Sequence, residues 1–366
     1  MFQTTTSDEV SFDLVLNLKK FDAKSIIDNL PAITMLPQQE DSLLTIEDPK
    51  YPSPETLLRI LELPGYNEAT WRRLSDAYYQ QTDAFKATSN LHWSVIVLRR
   101  ALSSMPKLNS GSLLDVLFIG DFHEIQPMAS LIAKSEIAQA ELYLDWHAFC
   151  PDPYSDEPNQ FYLFSKRDAN KTTLKEIYPF YEQQVGRSWL AGADGSGLLN
   201  ETNLLQMTTM RKSYLVITAV KRMSPHDLPV LLRTVLAVFS TCEIGGTAVI
   251  RFVIPQTAGV WGLLAFIDLF FTNTRLIRLK QTSPDDNTIH VIGTGFIGLS
   301  ATLLKMLIEM ACAAVGPLGR ASNLLLYLNQ NSNKQQEEDV ARVYIQPLRQ
   351  FLSGAATRWE RRNLWI

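Results

Sequence analysis

Residues 113–120 read LLDVLFIG, an apolar run of strand length closed by Gly120. Such a run, bounded by Ser and Gly, is the pattern of a strand. IQPMASLIAKS (residues 125–135) follows with helical period, and AELYLDW (140–146) reads as a second strand. Strand, helix and strand in this order predict a βαβ unit. The rhythm continues downstream. Strands are expected at Ser213–Ala219 (SYLVITA), Thr247–Ile254 (TAVIRFVI), Thr274–Lys280 and Thr288–Gly293, with helices at Pro225–Ser240 and Gly259–Thr272. Strands alternating with helices of this length predict an α/β, doubly wound, mostly parallel sheet.

Outside that block the composition changes. Residues 1–55 are polar and rich in Pro, Asp and Glu (LPQQEDSLLTIEDPKYPSPE), which predicts an extended or loosely packed arm rather than core. Ser53-Pro54 opens SPETLLRILEL as a short helix, and helices over Glu68–Thr88 and Leu91–Ser104 complete a helical region at 56–108. The sheet domain spans 109–300, and 301–366 form a helical extension. In it LSATLLKMLIEMACAAV is amphipathic, NLLLYLNQ is a short apolar run, NSNKQQEEDVA is a polar linker, and a last helix ends in RWERRNLWI. Arg358, Arg361 and Arg362, interleaved with Trp359 and Trp365, could contact RNA phosphates and bases. An amphipathic helix packing its tryptophans on the body is the favoured alternative.

Composition excludes several classes. Lys plus Arg number 34 against 38 Asp plus Glu, a net charge of −4, so polyphosphate would be attracted only by a local basic patch. Three dispersed cysteines form no C-x-x-C pair, and the five histidines have no spacing that builds a metal site. An intracellular protein, cytoplasmic or nuclear, without metal is expected. MFQTTTSDEVSFD is no signal peptide. The most apolar window, Val253–Ile267, holds Pro255 and is shorter than the ~20 residues of a spanning helix, so it reads as core and no membrane association is expected.

Four stretches, in this order, resemble the FtsJ-like mRNA cap 2′-O-methyltransferases, in particular their eukaryotic and large-DNA-virus branch. LLDVLFIGDFHEIQPMASLI stands where that branch has its first strand and cofactor loop, and LYLDWHAFCPDPYSDEP resembles its second strand and Asn-Pro-Tyr segment. GADGSGLLNETNLLQM looks like its Gly-x-Asp-x-x-Gly-Asp-Ile segment, and EIGGTAVIRFVIP with TIHVIGTGFIG resembles its closing strand and final hairpin. About half the chain is covered. The resemblance implies a seven-stranded Rossmann-like methyltransferase sheet, S-adenosylmethionine as the cofactor of an active member, and a viral source among the options.

The resemblance also implies a Lys-Asp-Lys-Glu set in which a lysine of lowered pKa helps deprotonate the ribose 2′-OH. The matching positions here differ. The Asp falls at Ala219 or Val220, the second Lys at Arg251 and the Glu at Thr288; for the first Lys, helix 91–104 offers Arg99 and Arg100 but no lysine. A guanidinium with a pKa above ~12 can hold a phosphate or hydroxyl but is no base near neutrality. The cofactor loop reads Gly120, Asp121, Phe122, His123, Glu124, where bulky side chains would fill the space a small-residue turn leaves for the methionine moiety. Asp145 at the end of the second strand could still accept from ribose hydroxyls, with Asp194 near the adenine side.

Two further signals compete. Gly293, Gly295 and Gly298 form a literal G-x-G-x-x-G between a strand and a helix, the local context of dinucleotide binding. Only 68 residues follow Gly298 and no acidic residue ends the next apolar run, so a Gly-rich exit from the last strand is favoured. His123, Glu124 and His147 would converge at strand ends or, as favoured, be loop polar groups. The expected function is therefore a catalytically inactive methyltransferase-like module that binds RNA or a protein partner such as an active methyltransferase, a polymerase or an assembly, without cofactor. The alternative is an active, divergent cap 2′-O-methyltransferase with Lys212, Lys221 or Lys280 supplying the amine.

Overall fold

The computed structural model describes residues 10–18, 113–120, 143–149, 189–190, 192–194, 199–219, 228–255, 257–279, 288–313 and 321–340, with single positions within 26–32 and 97–105 and at 342. Eight strands form one sheet: β1 (Val10–Leu16), β2 (Leu113–Gly120), β3 (Tyr143–Phe149), β4 (Trp189–Leu190), β5 (Ser213–Ala219), β6 (Cys242–Val253), β7 (Phe271–Leu279) and β8 (Thr288–Phe296). Their order is β1-β7-β8-β6-β5-β2-β3-β4. β2 through β6 run parallel, β8 is antiparallel to both β6 and β7, and β1 is antiparallel to β7. Without β1 the order is that of the Rossmann-like methyltransferase sheet, in which only the last strand is reversed. The α/β, doubly wound expectation holds.

Among the described residues the longer helices are, in chain order, α1 (Glu201–Thr209), α2 (Leu228–Thr241), α3 (Ala258–Phe270), α4 (Ala301–Cys312) and α5 (Ala321–Gln330). The side chain of the N-cap residue closes the amino end of three of them. Asn200, Thr257 and Ser300 accept from the amides of Asn203, Val260 and Leu303, each satisfying an amide the helix cannot. All five share one core with Leu117, Ile119, Val216, Ala248, Ile250 and Val291 on one face of the sheet. The other face is as dry: Val116, Phe118, Leu215, Ile217, Val249 and Ile292 are at most 1% exposed. Burial on both faces is why these strands read as continuous apolar runs instead of alternating ones. α3, buried along nearly its whole length and apolar except at Asp268, is the centre of the core, as the Val253–Ile267 window implied. Among the described residues no helix is long and apolar enough to cross a membrane.

Several expectations are corrected. Residues 10–16 are not part of a loose arm: VSFDLVL pairs with β7, Leu16 and Leu18 are buried, and Leu18 donates its amide to Asp268 of α3 at 2.8 Å. The apolar residues Phe12, Leu14, Val15 and Leu16, interrupted by Asp13 alone, were the overlooked signal. β3 begins at Tyr143 and continues through Phe149, because Trp146, Ala148 and Phe149 are buried and Trp146 meets Phe118 edge-on at 6.4 Å. NLLLYLNQ belongs to α5, and the polar linker contains a helical turn pair at residues 334–340. β4 and α1 were not anticipated. The G-x-G-x-x-G lies on the reversed strand β8, so it leaves the sheet at the amino end of β6, and the ring of Phe271 occupies the space beside Gly293. The Gly-rich exit is the correct reading.

β6 starts at Cys242, five residues before the expected point, and the β5–β6 register slips between Ser213/Cys242 and Leu215/Thr247. Gly245 takes up the extra length at φ +82°, a conformation that disfavours any residue with a Cβ. Cys242 is 3% exposed. Burial, and then Glu243, push its thiol from 9.0 to about 12. The sign follows from the raised value: the unfolded chain loses the proton first, so the stabilising contribution is complete below pH 9.0 and disappears as pH rises toward about 12. Urea midpoints taken through this range should fall more steeply for the wild type than for Cys242→Ala, by about 2 kcal/mol near pH ~10.5. Parallel slopes would contradict the assignment.

Candidate functional site

In an open α/β sheet the ligand crevice lies outside the carboxyl ends of the strands, where the strand order reverses. Here that point is between β2 and β5, with β3 on one side and β6 on the other. Gly120 ends β2 opposite Ala219, the last residue of β5. Its φ of +131° is open to glycine alone in practice, so the chain can turn sharply as it leaves the strand. Asp121, Phe122 and His123 lie outside the described residues.

The next two strands complete the edge. Thr218 of β5 is opposite Ile250 of β6, and its hydroxyl accepts from the Arg251 amide at 3.0 Å. Arg251 is paired with His290 of β8, and Val253 with Thr288. The register thus brings Ala219, Arg251 and Thr288, read separately from distant segments, to adjoining positions at one edge. Arg251 is 8% exposed and His290 4%, on the same face as Ile217 and Val249. His290 was missed by the sequence reading, although the alternation of TIHVIG puts residues 288 and 290 on one side. Among the described residues at these three strand ends there is neither a lysine nor a carboxylate. Val220, Lys221 and Lys280 lie outside the described residues.

Two residues expected to hold the cofactor are engaged elsewhere. Asp145 is the third residue of β3, register-paired with Asp115, and therefore near the amino end of the sheet. Its carboxylate meets Arg211 at 3.4 Å and His147 Nε2 at 3.6 Å. The same Arg211 binds the buried Asp115 at 2.9 Å, which also accepts from the Ser213 hydroxyl at 2.8 Å. This polar cluster closes the bottom of the sheet, and His147 is a strand residue, not a loop group. At the carboxyl end of β3, where a ribose acceptor would be needed, the chain offers the buried Phe149. Asp194 accepts from the side-chain amides of Asn200 and Asn203, at 2.5 and 2.7 Å, which fastens its turn to the start of α1. Gly192 has to be glycine there, since a Cβ would stand 2.3 Å from the Asn203 side chain. Of the described residues in the expected cofactor set, Gly120 ends β2 at the crevice and Asp194 follows β4 on the same side of the sheet, while Asp145 lies toward the amino end.

Lys212 is corrected as well. It precedes β5 at the amino end and donates to the carbonyls of Thr208, at 2.8 Å, and Ser240, closing the last turns of α1 and α2. Burial lowers its pKa, yet it stands at the opposite end of the strand from the crevice, so it cannot deprotonate a substrate there. Arg358, Arg361 and Arg362 lie outside the described residues. No group of His, Cys, Asp and Glu able to hold a metal occurs among the described residues.

No family model matches the chain, and no curated protein does. Among solved structures, MnmC2 from Aquifex aeolicus is similar at a TM-score of 0.35 and 12% identity, over 76% of this chain and 97% of that one.

Proposed function

We propose that this protein is a cap 2′-O-methyltransferase-like chain that no longer transfers methyl groups and serves as a binding or scaffolding module for RNA or a protein partner. One observation carries the reading. The strand ends on the crevice side carry Ala219, Arg251 and Thr288 on β5, β6 and β8, where the resembled family needs an acid, a basic amine and a second acid. Arg251 keeps a positive charge for a phosphate or hydroxyl, but its guanidinium cannot take a proton from a ribose hydroxyl near neutral pH. Asp145 and Asp194, the two acids for the cofactor, are held by Arg211 and by Asn200 and Asn203. Binding without turnover is what a fold can retain when its reacting groups are gone.

Calorimetry of the full chain with S-adenosylmethionine, together with a methyl-transfer assay on capped RNA, tests this. No micromolar binding and no transfer are expected. Micromolar binding accompanied by transfer would overturn the reading and return the chain to the enzymes.

A further inference from the structure

β2 through β8 already complete the seven-stranded order, and β1 is an addition laid against β7 at the end of the sheet. Among the described residues it pairs with β7 alone. Of the described side chains at 13–18, only Leu16 and Leu18 enter the core, with Leu14 at its margin and Val15 54% exposed. The remainder of that core is built chiefly by the helices and the other strands.

Side chains hold the carboxyl end of β1. Gln336, in the helical turns at 334–340, donates its Nε2 to the Val15 carbonyl at 2.8 Å and accepts the Asn17 amide on Oε1 at 2.6 Å. Asn333 donates to the Asn17 carbonyl at 3.4 Å, and Asp268 of α3 accepts the Leu18 amide at 2.8 Å. In a parallel ladder a residue donates to the carbonyl before its partner and accepts from the amide after it, which is what the Gln336 amide does around Leu16. The group that grips is itself fixed. Lys334 bonds the Glu337 carboxylate at 2.9 and 3.1 Å and the Asn329 carbonyl at 2.6 Å, Glu337 accepts from the Ser332 hydroxyl, and Val340 is 2% exposed in the common core.

We propose that β1 is a latch strand: it leaves β7 as one unit while the seven-stranded sheet stays folded, and Gln336 with Asn333 is the catch that sets how often it does so. A strand paired on one side, with two side chains in the core and solvent-exposed bonds at its end, belongs to the low-stability end of a fold's local openings. The seven strands beneath keep their own ladders and helices when it leaves. Opening takes Asp13 from Arg275, which binds it at 2.7 and 3.0 Å, and makes β7 the edge of the sheet, with its outward amides and carbonyls unpaired.

The test is amide hydrogen exchange of the full chain as wild type, Gln336→Ala and Asn333→Ala. Gln336→Ala should speed exchange of the β1 amides that bond β7, and of the Leu18 amide, by one common factor of ~5-fold or more, because losing the catch favours a single opening of the whole strand. Asn333→Ala, which removes one longer bond, should act on the same amides by a smaller factor. Amides of β5 and β6 should exchange as in the wild type in both variants. Acceleration confined to Asn17 would reveal a local cap, and equal acceleration in β5 and β6 would mean that β1 opens only with the whole sheet. Either result, or unchanged exchange throughout β1, overturns the proposal. None of these outcomes bears on cofactor binding, so the functional reading stands or falls separately.

Discussion

Replacing Gly262 by alanine should lower stability by about 3 kcal/mol, although alanine is the better helix former by roughly 1 kcal/mol. Gly262 lies in α3 where α5 crosses it, and a Cβ there would stand 1.9 Å from the Leu325 carbonyl oxygen and 2.6 Å from its carbon. Those atoms belong to the backbone inside α5 and cannot rotate away. Relief requires moving α5 as a body, which pulls Leu324, Leu325 and Leu328, all at most 2% exposed, out of their contacts. Overpacking at a backbone contact therefore costs more than at a side chain, since a packed interior has no slack to absorb it. Urea unfolding at unchanged m value measures the loss. A midpoint equal to that of the wild type would show that α5 is not seated where described.

Phe239→Ala should be the most damaging truncation, at about 3–5 kcal/mol. Phe239 is 3% exposed on α2, and its ring lies 5.4 Å from Phe266, 5.3 Å from Phe270, 6.2 Å from Phe271 and 5.4 Å from Phe296. These rings come from α3, β7 and β8, so one side chain joins the helix between β5 and β6 to the closing hairpin. Removing it leaves a cavity lined by rings whose backbones sit in different elements and cannot all close in. The loss should appear in urea unfolding and as reduced near-ultraviolet circular dichroism at unchanged far-ultraviolet signal. A loss under ~1 kcal/mol would mean that the ring cluster repacks freely.

The strands and helices of the central sheet were readable because each is buried on a defined side, and burial leaves a pattern of apolar residues along the chain. LLDVLFIG, SYLVITA and the α3 segment carried that pattern clearly, and β2 and β5 fall where it placed them. β1 was harder. It is a short edge strand inside a polar segment, and its pairing partner β7 lies more than 250 residues away, as the 262-residue separation of Asp13 and Arg275 illustrates. Local composition says nothing about a partner that distant.

The candidate site divides in the same way. The proposed loss rests on the sequence, because residue types are chemistry: an alanine, an arginine and a threonine cannot act as an acid, an amine and an acid whatever the fold. Only the tertiary structure could show that Ala219, Arg251 and Thr288 lie toward the same end of the sheet, since strand register decides which distant residues come to one edge. It also decided which end of the sheet each charge serves. Asp145 and Lys212 both looked available as residues near strand ends, and both belong to the amino end, held by Arg211 and by two helix carbonyls. Strand direction and the place of a residue along its strand are set by pairing, and pairing is a property of two segments at once, which no single stretch of sequence contains.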